Sequence, residues 1–197
     1  MSNKKLKIFL LAIFSVVLGI ICISVFSSKN NETLYLSKNV NKFKLITHSN
    51  EKFDEKFFSN YPSLIFFGFL NCPDVCPFTL TKISEIIEKL KDKSELMRFY
   101  FVTVDPERDK IEDLKEYLNA FHPKIIGVTG SNIDIENFLK YMYVYKKKIQ
   151  LDNNNYTIDH SSQIFLFNKN GSFFGTLSTN EKDNNILSKI SKILNGA

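Results

Sequence analysis

Arginine is nearly absent from this sequence: among 26 basic residues, only Arg98 and Arg108 carry a guanidinium. The net charge of +5 is therefore a lysine charge. No stripe of arginine interleaved with aromatics runs along any segment, which excludes nucleic acid as a partner. Histidine and cysteine are scarce too, with three of each. The chain does not need disulfide staples, because 44% of its residues are hydrophobic and 19 Phe and 8 Tyr are available to fill a core. No internal repeat and no second domain interrupts the 197 residues. A single folded domain with a short appendage is expected.

The appendage is at the N-terminus. Lys4, Lys5 and Lys7 precede an uncharged run from Ile8 to Phe26. Nineteen residues at helical rise cover about 28 Å, close to the hydrocarbon thickness of a bilayer. The run is longer than the apolar stretch of about 7–15 residues in a signal peptide, and no A-x-A cleavage site follows it. The expected organisation is a cytoplasmic N-terminus at 1–7, a transmembrane anchor at 8–26, a polar linker at 27–39 and a folded domain at 40–197. Lysines on the short side keep that side in the cytoplasm and send the domain outward. Cys22 reads as a small apolar residue of the span, since Ile21 stands where a lipidation signal needs a small side chain. An Arg-rich transit peptide is missing, so a bacterial inner membrane with the domain in the periplasm is the expected location.

Within the domain, Phe43–Thr47 alternates like a half-buried strand, and Leu64–Phe69 is a continuous apolar run typical of a buried central strand. Leu80, Ile83, Ile86, Ile87 and Leu90 then recur at helical spacing. Phe99–Val104 predicts a second buried strand, Glu112–Phe121 a helix, Ile125–Thr129 a short strand or turn, and Asp134–Tyr143 another helix. Gln163–Phe167 and Ser172–Leu177 read as strands around an Asn170-Gly171 turn, and Asn184–Leu194 as a closing helix. Strands alternating with helices, then a hairpin and a helix, predict an α/β domain of thioredoxin-like layout.

Cys72 and Cys76 lie in Asn71-Cys72-Pro73-Asp74-Val75-Cys76-Pro77, between a buried strand and an amphipathic helix. The helix start offers unpaired N–H groups and a positive dipole end, both of which stabilise a thiolate. Pro77 suits a first helical turn, and i, i+4 spacing puts both sulfurs on one side. Such a pair serves as a structural disulfide, a redox-active dithiol or a soft-metal site. A staple this short removes little chain entropy. The redox option stays open: the spacing, one residue wider than in thioredoxin, still permits a Cys72–Cys76 disulfide, which an exported location favours. Zinc usually takes four ligands, whereas two thiolates and one imidazole suit Cu(I).

Thioredoxins carry a cis-proline in the loop facing the cysteines; here Asp159-His160 stands before the corresponding strand. His160 is thus the third candidate ligand, although on its own it reads equally well as a core or surface histidine. Asp159 or Ser161 would fix its ring. His48 and His122 read as surface or capping residues. Asp74 reads as a helix N-cap, or as a tuner of thiolate basicity. Asp105, Glu107, Arg108 and Asp109 read as a turn, with Asp109 capping the next helix and Arg108 within reach of a carboxylate. Lys146-Lys147-Lys148 reads as a solvated face.

Gly68–Pro77, with C-P-D-V-C-P at its heart, resembles the Sco/SenC signature. Val102–Asp109, Gly127–Gly130 and Tyr156–Ser162 resemble the family's other three blocks, in the family order. The resemblance implies a thioredoxin-like fold behind one N-terminal membrane anchor, with copper bound by Cys72, Cys76 and His160. It also implies a role in assembling the dinuclear copper centre of cytochrome c oxidase, by passing copper to the copper-centre subunit or by reducing its cysteines. Other copper chaperones or thiol reductases would be further partners. Asn71 and Leu70 depart from the residues frequent in the family, but neither is a ligand position. The rival reading is a thiol–disulfide reductase of exported proteins, which needs both cysteines but not His160. A peroxidase is disfavoured because Phe69 occupies the threonine position of a T-x-x-C arrangement.

Overall fold

A computed structural model describes residues 13–20, 36–152 and 155–196. The chain divides into two units, Met1–Thr33 and Leu34–Ala197. In the first, residues 13–20 are helical with exposed side chains. The rest of the expected anchor, Cys22 included, lies outside the described residues. Among the described residues no helix is long and apolar enough to cross a membrane.

The second unit runs β1 (Leu45–Thr47), β2 (Lys52–Phe53), β3 (Ser63–Gly68), α1 (Val75–Leu90), β4 (Arg98–Thr103), α2 (Ile111–Leu118), β5 (Ile125–Gly130), α3 (Asn132–Tyr141), β6 (Lys146–Gln150), β7 (Tyr156–His160), β8 (Ile164–Phe167), β9 (Phe173–Leu177) and α4 (Asp183–Leu194). The main sheet has the order β2-β1-β5-β4-β3-β8-β9. Its centre is parallel, β3 with β4 and β4 with β5, while β8 joins β3 antiparallel and β9 joins β8. A βαβ unit (β3, α1, β4) and a ββα unit (β8, β9, α4) therefore share one sheet, the thioredoxin-like arrangement expected.

The placement follows from hydrophobic pattern. Every residue of β3 is buried, as are five of the six in β4, because helices cover both faces of a parallel centre. Leu80, Ile83, Ile86, Ile87 and Leu90 line the inner side of α1, and burying such side chains contributes about 1.5–3 kcal/mol each. Aromatic rings fill the rest: Phe53, Phe58 and Tyr100 meet with centroids 5.0–5.4 Å apart. At the β8–β9 turn Gly171 takes φ 76°, the left-handed backbone that glycine adopts without strain.

Three differences from the sequence reading are physical. Ile125–Gly130 is a full six-residue strand, since pairing to both β4 and β1 holds it extended. The first strand begins at Leu45, because Val40–Lys42 turns in a 3-10 helix. And β6–β7 forms a separate two-stranded ribbon between α3 and β8 that was not expected. Its polar strand Lys146–Gln150 lacks the apolar alternation that signals one.

Gly68 ends β3 where the backbone passes against the thiol site. A Cβ there would lie 2.7 Å from the Phe101 ring and 2.9 Å from the Cys76 sulfur. Gly68→Ala is expected to destabilise the domain by about 1–3 kcal/mol, as overpacking does, read as a lower midpoint in urea unfolding.

Candidate metal centre

β3 delivers the chain to the end of the sheet, and the loop from Phe69 to Asp74 turns it into α1. Cys72 N–H donates to the Phe69 carbonyl at 3.2 Å, which closes this turn. Cys76, one residue into α1, is buried, while Cys72 is half-buried; both are free thiols. The Cys76 backbone N–H donates to Cys72 Sγ at 3.4 Å, so the unpaired amides of the helix start do point at a sulfur. Asp74 occupies the N-cap position but makes no side-chain capping bond. Its exposed carboxylate does not cap the helix as expected; its carbonyl accepts from Phe78 N–H at 3.2 Å.

His160 ends β7, opposite Lys146 of β6. Its Nε2 stands 3.8 Å from Cys76 Sγ, and its Nδ1 is 2.9 Å from the Ser161 carbonyl. A carbonyl only accepts, so in the neutral ring Nδ1 carries the hydrogen and Nε2 turns its lone pair to the sulfur. The ring is therefore fixed by Ser161 through its backbone. Asp159 is exposed, and strand alternation puts it on the opposite face of β7 from His160. The Phe69 ring meets the imidazole edge-on at 5.8 Å. The three expected ligands are thus gathered at one spot. His48 and His122 are not among them: His48 Nδ1 accepts from Gly127 N–H at 2.7 Å, and His122 Nδ1 from Lys124 N–H at 3.1 Å.

Do these donors suit a metal ion? Among the described residues no group of three or more His, Cys, Asp or Glu side chains already stands in coordinating geometry. The Cys72 sulfur instead accepts the Cys76 backbone N–H, with the Cys76 sulfur turned to His160. The nitrogen–sulfur span nonetheless matches. Bonds of about 2.0 Å to nitrogen and 2.3 Å to sulfur, opened to a trigonal angle, put the two donors about 3.7 Å apart. Exchanging a thiol proton for a soft cation is the change needed.

The two thiols are electrostatically unequal. Cys72 is held down to about 4, chiefly by the Cys76 thiol, with the Cys76 and Asp74 amides adding to it against the cost of burial. Cys76 is pushed far up by the Cys72 sulfur and by burial. Asp109 is not the helix cap the sequence suggested: α2 starts at Ile111 with Lys110 at its N-cap position. The Asp109 carboxylate is buried instead, accepting from Thr103 Oγ1 at 2.5 Å and from Leu70 N–H at 3.2 Å, and it ties the end of β4 to the cysteine loop. Burial pushes it up to about 6. Arg108 does meet a carboxylate, Asp105, and also the carbonyl and ring of Tyr156, a partner 48 residues away that no local spacing rule reveals.

The SCO1/SenC family model matches residues 32–195. The chain belongs to the SCO1/SenC family. A SCO2-like protein of Rickettsia prowazekii is 42% identical over 133 residues, covering 66% of this chain and 65% of the relative. The copper-bound structure of Bradyrhizobium japonicum ScoI superposes with a TM-score of 0.72 at 30% identity, covering 77% of this chain and 96% of that one. Copper-bound yeast Sco1 gives 0.71 at 33% identity, covering 79% and 87%. This member of the family has its cysteine loop, its buried aspartate and its ribbon histidine at one end of the sheet.

The unequal thiols predict a pH profile. With Cys72 near 4 in the folded chain, its alkylation by iodoacetamide is expected to run at a level rate from pH 6 to 8 and to fall only as pH approaches about 4, while buried Cys76 stays unmodified. A Cys72 rate that climbs toward the ordinary thiol range instead contradicts this electrostatic picture. The linked stability has the same sign: the thiolate's contribution is complete above the unfolded thiol's pKa and is lost as pH falls through about 4.

Proposed function

We propose that this chain is a membrane-anchored copper metallochaperone. In this reading Cys72, Cys76 and His160 hold copper as cargo, and the protein delivers it to the dinuclear copper centre of cytochrome c oxidase or prepares that centre's cysteines. The observation that carries the reading is the approach of His160 Nε2 to Cys76 Sγ at 3.8 Å, with Cys72 beside them. Two thiolates and an imidazole are a soft, low-coordinate donor set suited to Cu(I). The copper-bound relatives support it. The apolar run at 8–26 would be the anchor, holding the domain on the periplasmic face of a bacterial inner membrane.

Loading releases the Cys76 proton, since the ligand is the thiolate. Cys72, already a thiolate at neutral pH, receives the ion first; its partial exposure also makes it the sulfur a partner's thiol reaches during transfer. Oxidation to a Cys72–Cys76 disulfide would remove both thiolates, so redox state gates loading.

A second reading rests on the inequality of the thiols. A low-pKa, accessible Cys72 beside a buried Cys76 is the arrangement of an attacking and a resolving thiol. Cys72 would attack a substrate disulfide to give a mixed disulfide. Cys76 would then release the substrate as a dithiol, leaving a Cys72–Cys76 disulfide that an external dithiol must reduce.

Titration of the detergent-solubilised full chain with Cu(I) separates the two. The copper reading predicts one tightly bound ion per chain, lost in Cys72→Ser and Cys76→Ser and markedly weakened in His160→Ala. Wild-type affinity in His160→Ala, together with turnover of a disulfide substrate by metal-free protein, would establish the reductase instead.

A further inference from the structure

The β6–β7 ribbon is a sheet apart from the main one, yet it delivers His160. A lone hairpin is marginally stable, so contacts beyond its own ladder must hold it. Lys146 pairs with Glu136 of α3 and Ile158 is buried in the core, and a further set of contacts meets at Tyr156, at the start of β7. Arg108 Nη1 donates to the Tyr156 carbonyl at 2.9 Å, and the guanidinium carbon lies 3.7 Å from the centre of the Tyr156 ring. Arg108 Nε donates to one oxygen of buried Asp105 at 2.5 Å, and the Tyr156 hydroxyl donates to the other at 2.9 Å. On the facing strand, Lys148 pairs with Glu107 at 2.8 Å and stands 3.7 Å from the same ring. The Arg108–Tyr156, Tyr156–Asp105 and Lys148–Glu107 contacts fasten the ribbon to residues 105–108, which follow β4. Asp105 is itself anchored, its N–H donating to Thr103 Oγ1 at 2.9 Å. The Arg108 guanidinium also lies 5.9 Å from the Phe69 ring, which meets the His160 ring edge-on.

In a chain whose basic residues are almost all lysine, an arginine stands where only a guanidinium suffices. The position needs directional donors to a carboxylate and to a carbonyl, from a planar cation that also stacks on an aromatic ring. A lysine ammonium supplies the charge without the plane.

We propose that Arg108 is a positioning residue for the copper site: by clamping Tyr156 to Asp105 it holds the ribbon where His160 Nε2 meets Cys76 Sγ. The inference rests on the copper reading of that site. The test uses the full chain in detergent. In metal-free protein, NMR contacts between the Phe69 and His160 rings are expected in the wild type and lost in Arg108→Met. Cu(I) affinity, measured by competition with a chelator, should fall about ten-fold or more, as it does when groups that orient metal ligands are removed. In a His160→Ala background the same substitution should leave affinity unchanged, because the histidine it positions is gone. Arg108→Lys, which retains the charge, should restore neither readout. Ring contacts that persist in both variants, or an equal loss of affinity with and without His160, overturn the inference. Wild-type protein that shows the ring contacts but binds no copper overturns the copper reading and leaves the clamp standing.

Discussion

The site depends on one contact across 84 residues of sequence: His160 Nε2 against Cys76 Sγ. Neither partner is held by the other. Cys76 is fixed by burial in the first turn of α1, with its sulfur against the glycine that ends β3. His160 is fixed by the Ser161 carbonyl behind it and by the ribbon that carries it. The contact exists because two independently built elements end at the same place, and this makes the geometry sensitive to anything that shifts either one.

Burial divides the labour between the sulfurs. Burial and the neighbouring sulfur push the inner thiol far up, while the outer one is held down to about 4. The outer sulfur is accessible and nucleophilic, and the inner one is held in reserve. That asymmetry serves ligand exchange with an incoming metal and attack on a disulfide equally well, so the two chemistries share a ground state and part only at the histidine. A thiol reductase needs no imidazole beside its buried cysteine, whereas a three-coordinate site of two thiolates and an imidazole does.

The central strands and the helices were legible because their signals are local. Leu64–Phe69 and Phe99–Val104 read as buried strands and became β3 and β4, and the 3.6-residue spacing of Leu80 to Leu90 became α1. The cysteine pair was legible from spacing alone, and His160 from its place in the layout. What escaped was non-local or was carried by polar residues. The lysine-rich strand of the ribbon has no apolar period, and its stability comes from Glu136, Glu107 and Arg108 elsewhere in the chain. Asp109 resembled a cap because it precedes a helix, but the chain rotates it inward to Thr103 and Leu70. Of the two residues expected to orient His160, Ser161 meets the ring through its carbonyl, whereas Asp159, its neighbour in the strand, faces the opposite way.

The direct test of the proposed centre is X-ray absorption at the copper edge of the Cu(I)-loaded full chain. Two sulfur neighbours and one nitrogen neighbour per copper, with the nitrogen lost in His160→Ala, is the result the account predicts. A spectrum with sulfur neighbours only, identical in wild type and His160→Ala, would contradict it.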